Sequence, residues 1–320
     1  MSIGGYRRSR RPRRRAFPRT PRLNASHRPL NRIAAKRFIR PRKALRLYLL
    51  RSLLAPLTAA RWTRFIRGLH ADLGVRPPVA RVLGKPVRSY LHRDYSPRRR
   101  LALLVEHYRW MQNLFARDFV ARICAGEALL AVALRGRSGD DYGIFVCASI
   151  VALMQREGEL AFYFAKGRDG EMLCRVSLCV AEVGGQLALV IGGVQGPRSV
   201  HKRDIIAATR DLFGLRPKDA SFLAVRAMAK TLGIGAVHAV SDDNHVLRRL
   251  QDKAKFSRYD AYWQERGGAA GGPYGFVFPA LEAIAAEGGD RREATKSALV
   301  EGVVAFFRDR LAAQERRAPD

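Results

Sequence analysis

Five apolar segments follow one another in the middle of the chain: Ala128–Leu134, Gly143–Met154, Glu159–Ala165, Met172–Val180 and Leu187–Val194. Short polar turns separate them, among them Gly-Arg-Ser-Gly-Asp-Asp at 136–141 and Lys-Gly-Arg-Asp-Gly at 166–170. Such turns are too short for a crossover connection, so successive strands are expected to run antiparallel, as a meander. Helical periodicity appears on both sides. Leu101, Leu104, Tyr108, Met111, Phe115 and Phe119 share one face of a helix expected over Arg98–Cys124. Helices are also expected over Asp204–Phe213 and Ala220–Leu232, the latter stopped by Gly233 and Gly235, with a strand at Ala236–Val240 between them and a basic helix over Val246–Lys255. The fold class is therefore α+β: a mostly antiparallel β-meander with flanking helices.

Charge divides the chain. The first 100 residues carry 29 Lys and Arg against two Asp, a net +27, and the remaining 220 carry 30 against 26, a net +4. Residues 1–43, dominated by Arg, Pro and Ser, cannot build a core and are expected to be a disordered basic tail, either an anion-binding arm or a solubilising one. Residues 44–100 follow as a basic amphipathic helical segment and connector, broken near Pro56. Its leucines, with Trp62, Phe65 and Ile66, have two uses: lying on an anionic membrane, or docking on the body behind. The body spans 101–285, and 286–320 is a helical tail with an apolar piece at Leu299–Phe307. An anionic lipid surface or a nucleic acid is the expected partner of residues 1–70. Four cysteines lack zinc-ligand spacing and have apolar neighbours, so they read as core thiols of a reducing compartment. No apolar run approaches the ~20 residues of a membrane span, and no secretory signal is apparent. The expected location is the cytoplasm, with a peripheral place on the inner membrane.

The stretch Leu187–Lys218 has the form strand, glycine-bearing basic turn, helix. It breaks at Gly192, Gly193, Gly196 and Pro197, continues through Arg198, Lys202 and Arg203, and ends in a second basic turn, Arg216-Pro217-Lys218. Glycines let backbone N–H groups approach an anion, and a helix start favours negative charge. Gln195, Gly196, Arg198, Lys202, Arg216 and Lys218 are the candidate anion site. A buried strand leaving the sheet through a tight turn explains the same residues. Arg156-Glu157-Gly158-Glu159 is either a charged hairpin tip or a carboxylate held at the mouth of the sheet. Ser241 and Asp242, past the strand at Ala236–Val240, are either ligand-facing residues or helix caps.

An ordered set of motifs carries a resemblance. It runs Arg156-Glu157-Gly158-Glu159-Leu160, Ile191-Gly192-Gly193-Val194-Gln195-Gly196, Gly214-Leu215-Arg216-Pro217-Lys218, Ala239-Val240-Ser241 with Asn244-His245-Val246, then Tyr259-Asp260 and Trp263-Gln264-Glu265. In this order they resemble the VirK/YbjX family of bacterial proteins, over roughly residues 80–285. The resemblance implies a cytoplasmic factor tied to envelope stress, virulence and resistance to cationic antimicrobial peptides. It implies no chemistry. The order of elements also resembles the acyl-CoA-dependent N-acetyltransferase fold, in which a strand ends in a glycine turn that holds a coenzyme pyrophosphate. That likeness implies a transferase using acyl-CoA. The 195–202 turn would then be its phosphate site, Glu159 or His245 its base, and Tyr259 its acid.

Overall fold

The computed structural model describes residues 41–167, 172–197, 202–247, 258–279, 281 and 290–313. The Arg-rich run, Arg198 and most of the basic helix expected over 246–255 lie outside them.

Two helices open the described chain, α1 (Pro41–Ser52) and α2 (Pro56–Asp72). They meet at an elbow where Pro56 starts α2, because proline suits a helix's first turn and no later one. The short α3 (Ala80–Leu83) follows, then α4 (Pro97–Leu114) and α5 (Arg117–Cys124). Ser96 caps α4 by accepting the Arg99 N–H at 3.3 Å.

The single helix expected over Arg98–Cys124 is two helices. Phe115 is extended, with φ −118° and ψ 151°, and bridges to Leu311 near the end of the described chain. Its ring lies 5.0 Å from Phe119 and 5.7 Å from Phe307. The N–H groups of Ala116 and Ala312 bond the carbonyls of Arg310 and Leu114 at 2.8 and 2.9 Å, so the broken helical bonds are replaced across the chain.

The meander is present as β1 (Ala128–Arg135), β2 (Asp141–Ala148), β3 (Leu160–Lys166), β4 (Met172–Val183) and β5 (Gln186–Gln195), each antiparallel to the last. The strand expected over Gly143–Met154 ends at Ala148, and residues 149–159 leave the sheet as a loop with Leu153 at φ 62°. Helices α6 (Lys202–Asp211) and α7 (Pro217–Thr231) then carry the chain to β6 (Ala236–Val240), which pairs parallel to β5. A parallel pair needs such a long connection. Next come α8 (Tyr259–Gln264), the hairpin β7 (Ala269–Gly271) and β8 (Gly275–Pro279), and α9 (Arg291–Arg308). The eight strands form one sheet in the order β1-β2-β3-β4-β5-β6-β8-β7.

Both faces of the sheet are covered. Leu160, Phe162, Phe164, Val176 and Leu178 meet Val225 and Met228 of α7 and Val303 and Phe307 of α9. Cys179, Ala181 and Val190 face the other way, toward Trp62 and Ile66 of α2, Leu83, and Leu103 and Leu104 of α4. Burial on two sides explains why the central strands read as unbroken apolar runs. The segment 44–100, set apart by charge, thus packs into one of the three layers, beside α4.

Candidate functional site

The loop 149–159 returns to the sheet through the Arg156–Glu159 turn. Glu159 N–H bonds the Leu178 carbonyl at 3.0 Å, and Ser149 N–H bonds the Glu159 carbonyl at 2.7 Å. Between the two carboxylates Gly158 lies flat on β4, where an added Cβ would sit 2.6 Å from the backbone of Leu178. Both carboxylates point inward, 1 % and 2 % exposed. The tip is not a solvated one.

Glu159 belongs to the layer of α2–α4. Its Oε1 takes the Lys85 ammonium at 2.5 Å and its Oε2 the Tyr108 hydroxyl at 2.7 Å. Lys85 is itself buried, so the pair is a desolvated one held by a further hydrogen bond. Tyr90 O–H and the Cys179 sulfur lie 2.9 Å apart beside it. His107 accepts the Val180 N–H on Nδ1 at 3.0 Å, which places its own proton on Nε2. Burial, with the Lys85 charge adding, pushes its pKa down to about 3.

Glu157 belongs to a second knot, at the end of β5. Both its oxygens accept the Gln195 amide, at 2.9 and 2.8 Å, and Oε1 also meets His245 Nε2 at 2.9 Å. His245 Nδ1 accepts the Leu247 N–H at 3.4 Å, so its Nε2 is the donor toward Glu157. The Tyr259 ring lies 4.8 Å from that imidazole. Its hydroxyl donates to the Val194 carbonyl at 3.2 Å and receives the Val194 N–H at 3.4 Å. Burial holds the Tyr259 phenol well above its ordinary range, with the Glu157 charge adding.

Gly192 and Gly193 serve this knot. The β4–β5 register jumps from Ser177↔Gly193 to Leu178↔Ile191, leaving Gly192 as a bulge. A Cβ on Gly192 would overlap the Glu157 carbonyl, and one on Gly193 would stand 2.7 Å from the Glu157 carboxyl carbon. The glycines therefore make room for a carboxylate of this chain.

The other candidates are spread. Gly196, just past the end of β5, is exposed, and Lys202 is exposed at the start of α6. Lys218 lies 3.4 Å from the centre of the Tyr262 ring and Arg266 3.7 Å from it, while Arg266 pairs with Asp219 at 2.5 Å. Burial pushes the Lys218 amine down to about 8. Arg216 is exposed on the same turn. No hydrogen bond joins Gln195 to Arg216 or Lys218 among the described residues, and Arg198 of the first basic turn lies outside them. Asp242 is a cap: its carboxylate accepts the N–H groups of Tyr259 and Asp260 at 3.0 and 3.3 Å. Sequence reasoning missed Lys85 and Tyr90, which no local pattern marks, and placed Tyr108 only on the apolar face of a helix.

A different surface is open. Leu45, Leu49, Leu50 and Leu53 of α1 and its end, with Leu54 and Leu57 at the elbow, are exposed, Leu54 by 86 % and Leu53 by 77 %. Arg42, Lys43 and Arg46 are exposed on the same helix. The inner side of α1 is fixed by Tyr48, whose hydroxyl meets the Thr63 hydroxyl of α2 at 2.9 Å. Beside the elbow, a groove of about 1090 Å³ runs between the start of α2 and α4. No helix among the described residues is long and apolar enough to cross a membrane.

Comparison with known proteins gives a family. Residues 37–286 match the one described as "Protein of unknown function (DUF535)". The chain is 25 % identical over 241 residues to "Uncharacterized protein YbjX" of Escherichia coli (strain K12), covering 73 % of this chain and 71 % of that one. Among solved structures, a cAMP-binding acyltransferase from Mycobacterium smegmatis matches at a TM-score of 0.30 and 7 % identity, over 64 % of this chain and 60 % of that one. The chain thus spans less than two thirds of that enzyme, and at this TM-score the likeness carries no argument. The family match covers well over half of the sequence, and with the similarity to YbjX it places this chain in the DUF535 (VirK/YbjX) family.

Proposed function

We propose that this protein is a peripheral factor of the cytoplasmic face of an anionic membrane. One observation carries the reading: the leucines exposed on α1 and the elbow stand beside cationic side chains. A monomeric soluble surface rarely displays such a cluster, and an apolar stripe with a basic flank suits the boundary between lipid head groups and acyl chains. The net +27 of the first 100 residues adds long-range attraction. Leucines gain nothing from a phosphate backbone, which favours lipid over nucleic acid as the partner. Cationic antimicrobial peptides seek the same anionic head groups, and this shared target connects the reading to envelope stress, virulence and peptide resistance.

Vesicle co-sedimentation tests it. The full chain should bind phosphatidylglycerol vesicles and release as salt rises. The double variant Leu49→Asp/Leu53→Asp should bind at least about tenfold more weakly, since each buried leucine contributes roughly 1.5–3 kcal/mol. Binding unchanged by those substitutions, or tighter to RNA than to vesicles, would overturn the reading.

A transferase reading draws on one feature. The parallel pair β5–β6 ends its register at Ile191↔Ala239, and β5 runs on to Gln195 beside the Glu157–His245 pair. The residues of the turn fit a coenzyme pyrophosphate poorly. The Gln195 amide is taken by Glu157, and Pro197 has no N–H. Acyl-CoA should therefore leave the melting temperature of the full chain unchanged. A saturable rise abolished by Lys202→Ala would favour the transferase.

A further inference from the structure

We infer that the groove between α2 and α4 is a binding site for a single anionic phospholipid, with one acyl chain along its apolar floor and the phosphate against its arginines. The inference rests on the membrane reading and adds a site to it. Leu54 and Leu57 form one wall at the elbow, and Leu101, Ala102 and Val105 of α4 form the other, with Trp110 farther along the same helix. The α4 residues recur at helical spacing and so present one continuous stripe. The volume of about 1090 Å³ stands just above the roughly 300–1,000 Å³ of small-molecule sites.

Charge selects the occupant. Arg61 from α2 and Arg98 and Arg109 from α4 line the groove against one acid, Glu106. None of the three arginines makes an ion pair among the described residues. Glu106 already accepts the backbone N–H of Glu182, and burial raises its pKa, which weakens it as a competitor. Three unspent guanidinium groups over an apolar floor match a phosphate joined to a hydrocarbon chain. Like charge disfavours the arginine-rich N-terminal run as an occupant. Leu54 and Leu57 belong both to the exposed patch and to the groove, so a lipid enters from the side that meets the bilayer.

Trp110 makes the test direct, because the other two tryptophans, Trp62 and Trp263, are fully buried. The full chain is titrated with lysophosphatidylglycerol carrying a brominated acyl chain, below its micelle concentration, and tryptophan fluorescence is read. Saturable quenching is expected. It should vanish in Trp110→Phe and weaken at least about tenfold in Arg98→Ala/Arg109→Ala, whose replaced side chains are exposed and leave the melt unchanged. Brominated lysophosphatidylcholine should quench less. Quenching that does not saturate, or is equal for both head groups and indifferent to the arginines, overturns the site. Leu49→Asp/Leu53→Asp separates the two readings: it should lose vesicle binding and keep the quenching. Vesicle binding that depends on these leucines, in a chain showing no quenching, removes the groove alone. Quenching that persists while those leucines prove dispensable for vesicles removes the membrane reading alone.

Discussion

His107 can take a proton in the unfolded chain long before it can in the folded one. Its pKa falls from about 6.5 to about 3 on folding, chiefly by burial. Above pH 6.5 both states are neutral and the residue is indifferent to pH. Between about 6.5 and 3 the unfolded state binds the extra proton, so stability is lost as pH falls, at up to about 1.4 kcal/mol per unit. His107→Gln keeps an acceptor for the Val180 N–H without the titration. Urea unfolding at pH 6.5 and 4.5 should therefore show a loss smaller by about 2 kcal/mol in the variant. Equal losses would mean that the ring is hydrated in the folded state. Gly193 makes a second residue-scale prediction. Gly193→Ala should destabilise by about 1–3 kcal/mol, because the new methyl meets the Glu157 carboxyl. A melt equal to wild type would show that Glu157 swings away freely. The glycine pair is visible in the sequence, but its reason is not. Gly192-Gly193 reads as an anion cradle until Glu157, some 35 positions earlier, is seen lying on it.

At the scale of elements, the Lys85–Glu159 pair clasps the connector after α3 to the mouth of the sheet. Lys85→Met leaves a buried carboxylate without its cation and should cost about 3–5 kcal/mol in a urea melt. Lys85→Met/Glu159→Gln should recover a large part of that loss. A double variant as unstable as the single one would place the cost in packing and not in charge. The meander is legible because its information is local: apolar runs and short turns suffice to order five strands. The parallel partner β6 and its two preceding helices are legible for the same reason. The break at Phe115 is not, since the groups that replace its helical bonds come from Arg310 and Ala312. Nor is the inward turn of the Glu157 and Glu159 carboxylates, whose partners sit in α4, β5, the connector and the turn after β6. Long-range pairing of this kind leaves no periodic trace.

The whole molecule is a sheet between two helical layers, and the N-terminal layer is basic outside and apolar inside. Charge draws a boundary near residue 100; packing draws it at the elbow. Beyond the elbow, Trp62, Ile66 and Leu69 are buried against Tyr90, Leu103, Leu104 and Val190, and Trp62 Nε1 donates to the Val82 carbonyl at 2.9 Å. Before it, α1 touches the body mainly through Tyr48 and α3, and its leucines face solvent. Two truncations separate these boundaries. A chain beginning at Pro56 should melt cooperatively, within a few degrees of the full chain, and lose vesicle binding. A chain beginning at Leu73 strips Trp62, Ile66 and Leu69 from the core. Each large apolar side chain contributes roughly 1.5–3 kcal/mol, and their sum is comparable to the whole stability of about 5–15 kcal/mol of an ordinary domain. That shorter chain should expose Tyr90, Leu103 and Leu104, bind a hydrophobic dye and lose its sharp transition. If instead it melts as cooperatively as the chain starting at Pro56, the body carries its fold without α2. The N-terminal layer would then be a docked module, able to detach from the sheet together with the exposed leucines it bears.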